Sequence, residues 1–155
     1  MEASEYSQGT ILLVEDSVDD IELTQRALEQ YQIANPLVVA RDGVEALDYL
    51  LARGPYAGGP PPALPALILL DLKLPRVDGL EVLHLTRDNE RTSLLPVIIL
   101  TSSNDESDRL RSYKLRANSY ICKPVDFNRC AEAIRLVHLY WLGLNEPPPG
   151  AGLIR

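Results

Sequence analysis

Five side chains in this chain have types and positions suited to phosphoryl chemistry: Glu15, Asp16, Asp71, Thr101 and Lys123. Each stands at the end of a short apolar run. Ile11-Leu12-Leu13-Val14 ends on Glu15-Asp16, and Leu67-Ile68-Leu69-Leu70 ends on Asp71. Val97-Ile98-Ile99-Leu100 ends on Thr101-Ser102, and Tyr120-Ile121-Cys122 ends on Lys123-Pro124. Continuous apolar runs of this length, separated by helical patterns, read as strands of a parallel sheet buried on both faces. In open α/β sheets, ligands bind outside the carboxyl ends of the strands, near the topological switch point. The pattern therefore brings three carboxylates, a hydroxyl and an ammonium to one sheet edge. Left unpaired, such an acidic trio would raise at least one carboxyl pKa. A divalent cation removes the conflict, and an oxygen-rich donor set without His or Cys suits Mg²⁺. Asp71 is then the natural nucleophile, forming an aspartyl phosphate. The cation, Lys123 and the Thr101 hydroxyl would neutralise and orient the phosphoryl oxygens. Singly, Lys123 reads as a surface ammonium, Thr101 as a strand-end cap and the acidic pair as a solvated loop end. Their convergence from separate strand ends is what is specific.

The elements that must position these groups alternate strand and helix, which implies a doubly wound α/β fold with helices on both faces of a five-stranded parallel sheet. The first strand covers about residues 10–15. Ser17-Val18-Asp19-Asp20 matches a capping box and opens a helix to about Tyr31. Asn35-Pro36 precedes a short strand over 37–40 and a helix over 42–52. Residues 53–65, rich in Pro and Gly, cannot sustain a helix or a central strand and read as a surface loop, either a tolerated insertion or a docking segment. A third strand over 66–71, a helix ending near Asn89, a fourth strand after Pro96 and a charged helix over 105–115 follow. The last strand is expected at 119–122 and the last helix at about 126–142. Residues 1–9 read as a flexible lead-in, 10–145 as one domain and 146–155 as a Pro-rich tail.

At 155 residues the chain has the length of a single domain. Its 46% hydrophobic and 24% charged composition is ordinary for a globular protein. A net charge of -7 argues against nonspecific binding to nucleic acid or an anionic membrane. No run approaches the roughly 20 apolar residues of a spanning helix, and the acidic N-terminus lacks a signal-peptide pattern. Two cysteines, Cys122 and Cys130, fit a reducing, cytoplasmic compartment, and no zinc-ligand spacing accompanies them.

These motifs together resemble the receiver domain of bacterial two-component response regulators, over about residues 10–142. The resemblance implies the flavodoxin-like strand order 2-1-3-4-5. It implies that Glu15 and Asp16 are the acidic pair, Asp71 the phosphoacceptor, and the Lys73 backbone carbonyl a further Mg²⁺ ligand. Thr101 would be the switch hydroxyl, Tyr120 the switch aromatic and Lys123 the active-site lysine. A narrower similarity rests on the Gly-Pro-Tyr-containing insertion, on Ala117-Asn118-Ser119-Tyr120-Ile121 followed by Lys123-Pro124-Val125-Asp126-Phe127, and on Tyr140-Trp141. It points to the single-domain regulators paired with bacterial phytochrome histidine kinases. Two departures stand out. Lys73 places a cation two residues after the nucleophile, and Ser102 adds a hydroxyl where a small residue is expected.

A haloacid-dehalogenase-type phosphatase would use a similar set, but needs a second Asp where Lys73 stands. A flavin-binding module would need a hydroxyl- and Gly-rich loop after the first strand, where Glu15-Asp16-Ser17-Val18-Asp19-Asp20 would repel a phosphate. The reading is therefore a phosphoacceptor switch that catalyses only its own phosphorylation and dephosphorylation. With no output domain expected after Leu142, it would signal through protein contacts. Leu136, Val137, Leu139, Tyr140, Trp141, Leu142 and Leu144 make the end of the last helix apolar on nearly every side. Some of that surface is expected to face outward, with Tyr140 and Trp141 at a homodimer interface; the alternative is that the tail folds over it.

Overall fold

Apolar residues on successive positions of each central strand point alternately to two cores, which is why residues 11–14, 67–70 and 97–100 are apolar throughout. The computed structural model describes residues 9–149; the first eight residues of the lead-in and the tail residues 150–155 lie outside the described residues. The strands are β1 (Ile11–Val14), β2 (Leu37–Ala40), β3 (Leu67–Leu70), β4 (Val97–Thr101) and β5 (Ser119–Cys122). All pair in parallel, in the order β2-β1-β3-β4-β5. The helices are α1 (Val18–Gln30), α2 (Gly43–Leu51), α3 (Gly79–Asp88), α4 (Glu106–Lys114) and α5 (Phe127–His138). Ile11, Leu13, Leu67, Leu69 and Ile98 pack on the side of α1 and α5, with Ala27, Leu28, Ala131 and Ile134. Leu12, Val14, Ile68, Leu70 and Ile99 pack on the opposite side, with Leu47, Leu50, Val82 and Leu83 of α2 and α3. Leu70, Leu12 and Ile99 are fully buried, and truncating any of them to Ala would cost about 2–5 kcal/mol.

Helix starts follow the capping expectations. Ser17, Asp42, Asp78, Asp105 and Asp126 each accept a backbone N–H of the first turn. Only half of the capping box at Ser17 forms. Ser17 Oγ accepts the Asp20 N–H at 3.3 Å, but the Ser17 N–H donates to Glu15 Oε2 at 3.3 Å. The Asp20 carboxylate is diverted to Lys123, because a buried ammonium attracts it more strongly than a neutral amide does.

Three other expectations need correction. The last helix ends its regular stretch at His138 rather than 142 and continues as a π-helical turn over Leu139–Leu144, closed by the Asn145 N–H on the Tyr140 carbonyl at 2.7 Å. The wider turn lets Leu142 insert into the core beside α5. The 53–65 segment contains one 3₁₀ turn, Gly54–Tyr56, which Pro55 tolerates because an N-terminal helical position needs no N–H donor. Its end is not surface: Leu64 and Pro65 are buried. Finally, β5 is an edge strand, half-buried rather than enclosed on both faces. All peptide bonds among the described residues are trans, Lys123–Pro124 included.

Candidate functional site

Strand register assembles the site. Val14 pairs with Leu70, so the next residue on each strand, Glu15 and Asp71, emerge side by side. The Asp71 N–H donates to the Val14 carbonyl at 3.0 Å and the Glu15 N–H to the Ala40 carbonyl at 2.9 Å, extending the ladder one step under both carboxylates. Thr101 pairs with Cys122, and the Lys123 N–H donates to the Thr101 carbonyl at 2.7 Å, placing the lysine just beyond the hydroxyl. β1 lies between β2 and β3 where the winding reverses, so the connecting loops part and leave a crevice there. Gly79 at the start of α3 backs directly onto this edge: a Cβ there would lie 2.2 Å from the Asp71 carbonyl oxygen.

The five groups identified from sequence converge, and a sixth joins them. Carboxylate oxygens of Glu15, Asp16 and Asp71 lie within 4.8 Å of one another. Glu15 and Asp71 are buried, whereas Asp16 is exposed. The Lys123 ammonium donates to Glu15 Oε1, to Asp20 Oδ2 at 3.0 Å and to Asp71 Oδ2 at 3.1 Å. Asp71 Oδ1 accepts the Lys73 N–H at 3.3 Å, and the fully buried Thr101 hydroxyl stands close enough to the Asp71 carboxylate to lower its pKa. Asp20 is the residue the sequence did not flag. Its signal was present in its place at the third position of α1, facing back toward the strand end, but the capping pattern accounted for it.

Electrostatics divides the carboxylates. Burial pushes the Glu15 carboxyl up to about 7, reinforced by the Asp71 charge and only partly opposed by Lys123. Burial also raises Asp71, but hydrogen bonds from Thr101 and the charge of Lys123 outweigh it and leave Asp71 below the usual aspartate range. Lys123 is lowered by burial and raised more strongly by Glu15, Asp71 and Asp20, so its ammonium persists. Asp71 is thus an ionised, hydrogen-bonded carboxylate at a buried sheet edge. The donor set of oxygens alone fits a hard divalent cation.

Tyr120 and Lys73 lie at the margins of this set. Tyr120 is half-buried against the core on the side of α2 and α3, and its hydroxyl donates to the Ser103 carbonyl at 3.1 Å. The Lys73 side chain is mostly exposed and faces Asp108 of α4 at 3.9 Å. Tyr140 and Trp141 lie in the π-helical turn after α5 and differ in environment. Tyr140 is exposed, whereas Trp141 packs partly on the core and meets Tyr140 edge-on with ring centroids 5.0 Å apart.

Comparison with known proteins identifies the family. Residues 11–135 match the model of the response regulator receiver domain. The chain is 41% identical over 138 residues to the probable methanogenesis regulatory protein FilR2 of Methanothrix harundinacea, covering 89% of this chain and 86% of that protein. It is 39% identical over 132 residues to response regulator Rcp1 of Synechocystis, covering 85% and 88%. The Mn²⁺-bound form of Rcp1 superposes with a TM-score of 0.80, at 37% identity over 90% of this chain and 99% of that one. The phosphorylated cyanobacterial phytochrome response regulator RcpA superposes with a TM-score of 0.82, at 37% identity over 91% of this chain and 99% of that one. Among the described residues no helix is long and apolar enough to cross a membrane. With its five-stranded flavodoxin-like sheet, its acidic trio and these relatives, the chain belongs to the response regulator receiver family.

Proposed function

We propose that Asp71 accepts a phosphoryl group from a histidine kinase of the phytochrome type. The observation that carries this reading is the pairing of Val14 with Leu70, which seats Glu15 beside Asp71 under the Lys123 ammonium. In the transfer, an Asp71 carboxylate oxygen forms a bond to phosphorus, the phosphorus–nitrogen bond to the kinase histidine breaks, and the electron pair stays on the imidazole. Glu15, Asp16, Asp71 and the Lys73 backbone carbonyl would hold Mg²⁺, which neutralises phosphoryl oxygen charge when bound. Lys123 can leave Asp71 and Asp20 for a phosphoryl oxygen without losing Glu15, and the buried Thr101 hydroxyl is near enough to Asp71 to be recruited to one. The same groups would support slow hydrolysis of the aspartyl phosphate and no other reaction.

Signalling would leave by protein contacts. Leu136, Leu139, Tyr140 and Leu144 are exposed along α5 and the turn after it, and such a patch favours a homodimer. Two free thiols fit a reducing cytoplasm. The phytochrome pairing rests on the likeness to Rcp1 and RcpA; a receiver for another class of kinase is the alternative, since FilR2 is similarly close. Phosphotransfer from autophosphorylated kinases of both classes tests the pairing. Faster labelling by the phytochrome-type kinase is expected, and equal or slower labelling would overturn it.

A further inference from the structure

A groove of about 430 Å³ opens beside Asp16 and is lined by Lys73, Leu74, Asp78, Asp108 and Arg111, among others. Asp108 stands in the first turn of α4 with its side chain 15% exposed. Its Oδ2 accepts the Ser103 hydroxyl at 2.7 Å and lies 3.9 Å from the Lys73 ammonium. The Ser103 N–H donates to Thr101 Oγ1 at 3.3 Å, and the Ser103 carbonyl accepts from Tyr120. One carboxylate therefore holds both the cation two residues beyond Asp71 and the loop that follows Thr101.

We propose that Asp108 is a positioning residue that sets the lifetime of the aspartyl phosphate by competing with it for Lys73. The inference rests on the phosphoacceptor reading above. In hydrolysis a water oxygen forms a bond to phosphorus, the bond to the Asp71 oxygen breaks, and its electron pair returns to the carboxylate. The water's proton goes to solvent and inorganic phosphate leaves. An ammonium lying against the phosphoryl oxygens fills the space and the hydrogen-bonding directions that the water needs. Held by Asp108, the same ammonium leaves that approach open. A long ion pair whose lysine is mostly exposed is weak enough to exchange, and a phosphoryl group offers about two negative charges against one. Lys73 is thus divided between two anions, and changing either one redistributes it.

The test is the decay of phosphoprotein after acetyl phosphate is removed, in the parent, Asp108→Asn, Lys73→Met and the double variant. Asn removes the charge while keeping an oxygen for Ser103. Asp108→Asn is expected to lengthen the lifetime roughly two- to fivefold, the range of an exposed ion pair. Lys73→Met is expected to shorten it, and Asp108→Asn is expected to have no effect in the Lys73→Met background. Ser103→Ala, which cuts the loop contact and keeps the charge, is expected to leave the Asp108→Asn effect in place. No lengthening, or equal lengthening without Lys73, would overturn the competition. Labelled proteins whose decay ignores Asp108 would leave the phosphoacceptor reading standing, whereas a parent that takes no label would overturn both.

Discussion

The Lys123 ammonium lies 3.0 Å from the Asp20 carboxylate, so α1 contributes a charge to a site otherwise built from strand ends. Asp20 and Asp16 should therefore differ in effect. Asp16 offers an exposed oxygen to a cation within the trio, while Asp20 acts through Lys123. Asp16→Asn is expected to weaken Mg²⁺ binding at least tenfold, about 1.4 kcal/mol. Asp20→Asn is expected to weaken it less, because Glu15 and Asp71 still hold the lysine. Calorimetric titration distinguishes them, and the reverse ranking would remove Asp16 from the metal site.

Glu15 gives the site a pH dependence. Its carboxyl is pushed up to about 7 from an ordinary 4.5, so the folded protein keeps a proton there that the unfolded chain releases. Metal-free stability should fall as pH rises between those values. Asp71 acts in the opposite sense and lower down: its depressed carboxyl contributes stability that is lost as pH falls below the ordinary aspartate value. A divalent cation held by Glu15 would displace that proton, so apparent Mg²⁺ affinity should rise with pH up to about 7 and then level off. Titrations on either side of that value, with proton release measured in parallel, check this. An affinity that does not change across pH 7 would contradict it.

Tyr120 is expected to respond to the phosphoryl group through Ser103. Its hydroxyl bonds the Ser103 carbonyl, and the Ser103 N–H bonds Thr101 Oγ1. Recruiting the Thr101 hydroxyl to a phosphoryl oxygen would disturb that chain, and the half-buried ring would turn further inward. Tyr120 ring resonances in the presence and absence of beryllofluoride should report two populations. Identical spectra would mean that the tyrosine is static.

The dimer proposal calls for a substitution chosen by exposure. Trp141 is partly core, so truncating it would damage the fold as well as any interface. Leu139 is exposed and suits the purpose. The parent is expected to self-associate in the micromolar range of sedimentation experiments, and Leu139→Glu to be monomeric with an unchanged thermal midpoint. A parent that stays monomeric at high concentration, with and without phosphorylation, would refute the interface.

The strand ends were legible because Ile11–Val14, Leu67–Leu70 and Val97–Leu100 are unbroken apolar runs, each followed by a polar residue. A run buried on both faces leaves little choice of element or direction. Contacts that depend on distant partners were not legible. Lys73 stands out in the sequence as a cation two residues after Asp71, but its partner Asp108 is not visible until α4 is folded and brings it there. Arg87 stands in the last turn of α3, where the helix dipole favours a solvated cation, yet it is buried. Its guanidinium donates to the carbonyls of Ser93, Leu95 and Arg116 and to Asn118 Oδ1. Burial and the neighbouring Arg116 push it down to about 10. It ties α3 to the two loops that lead into β4 and β5, at the end of the sheet opposite the site, a role set by tertiary geometry. The turn after His138 escaped for the same reason: its apolar residues continue the helical pattern, and only packing decides where the hydrogen bonding widens.

The most direct test is the site of modification after incubation with acetyl phosphate and Mg²⁺, read by intact mass and by peptide mapping. One phosphoryl group on Asp71 is expected in the parent, with no labelling of Asp71→Asn and strongly slowed labelling of Asp16→Asn. A parent that takes no label, or an Asp71→Asn variant that labels as fully as the parent, would contradict the assignment of Asp71 as the phosphoacceptor.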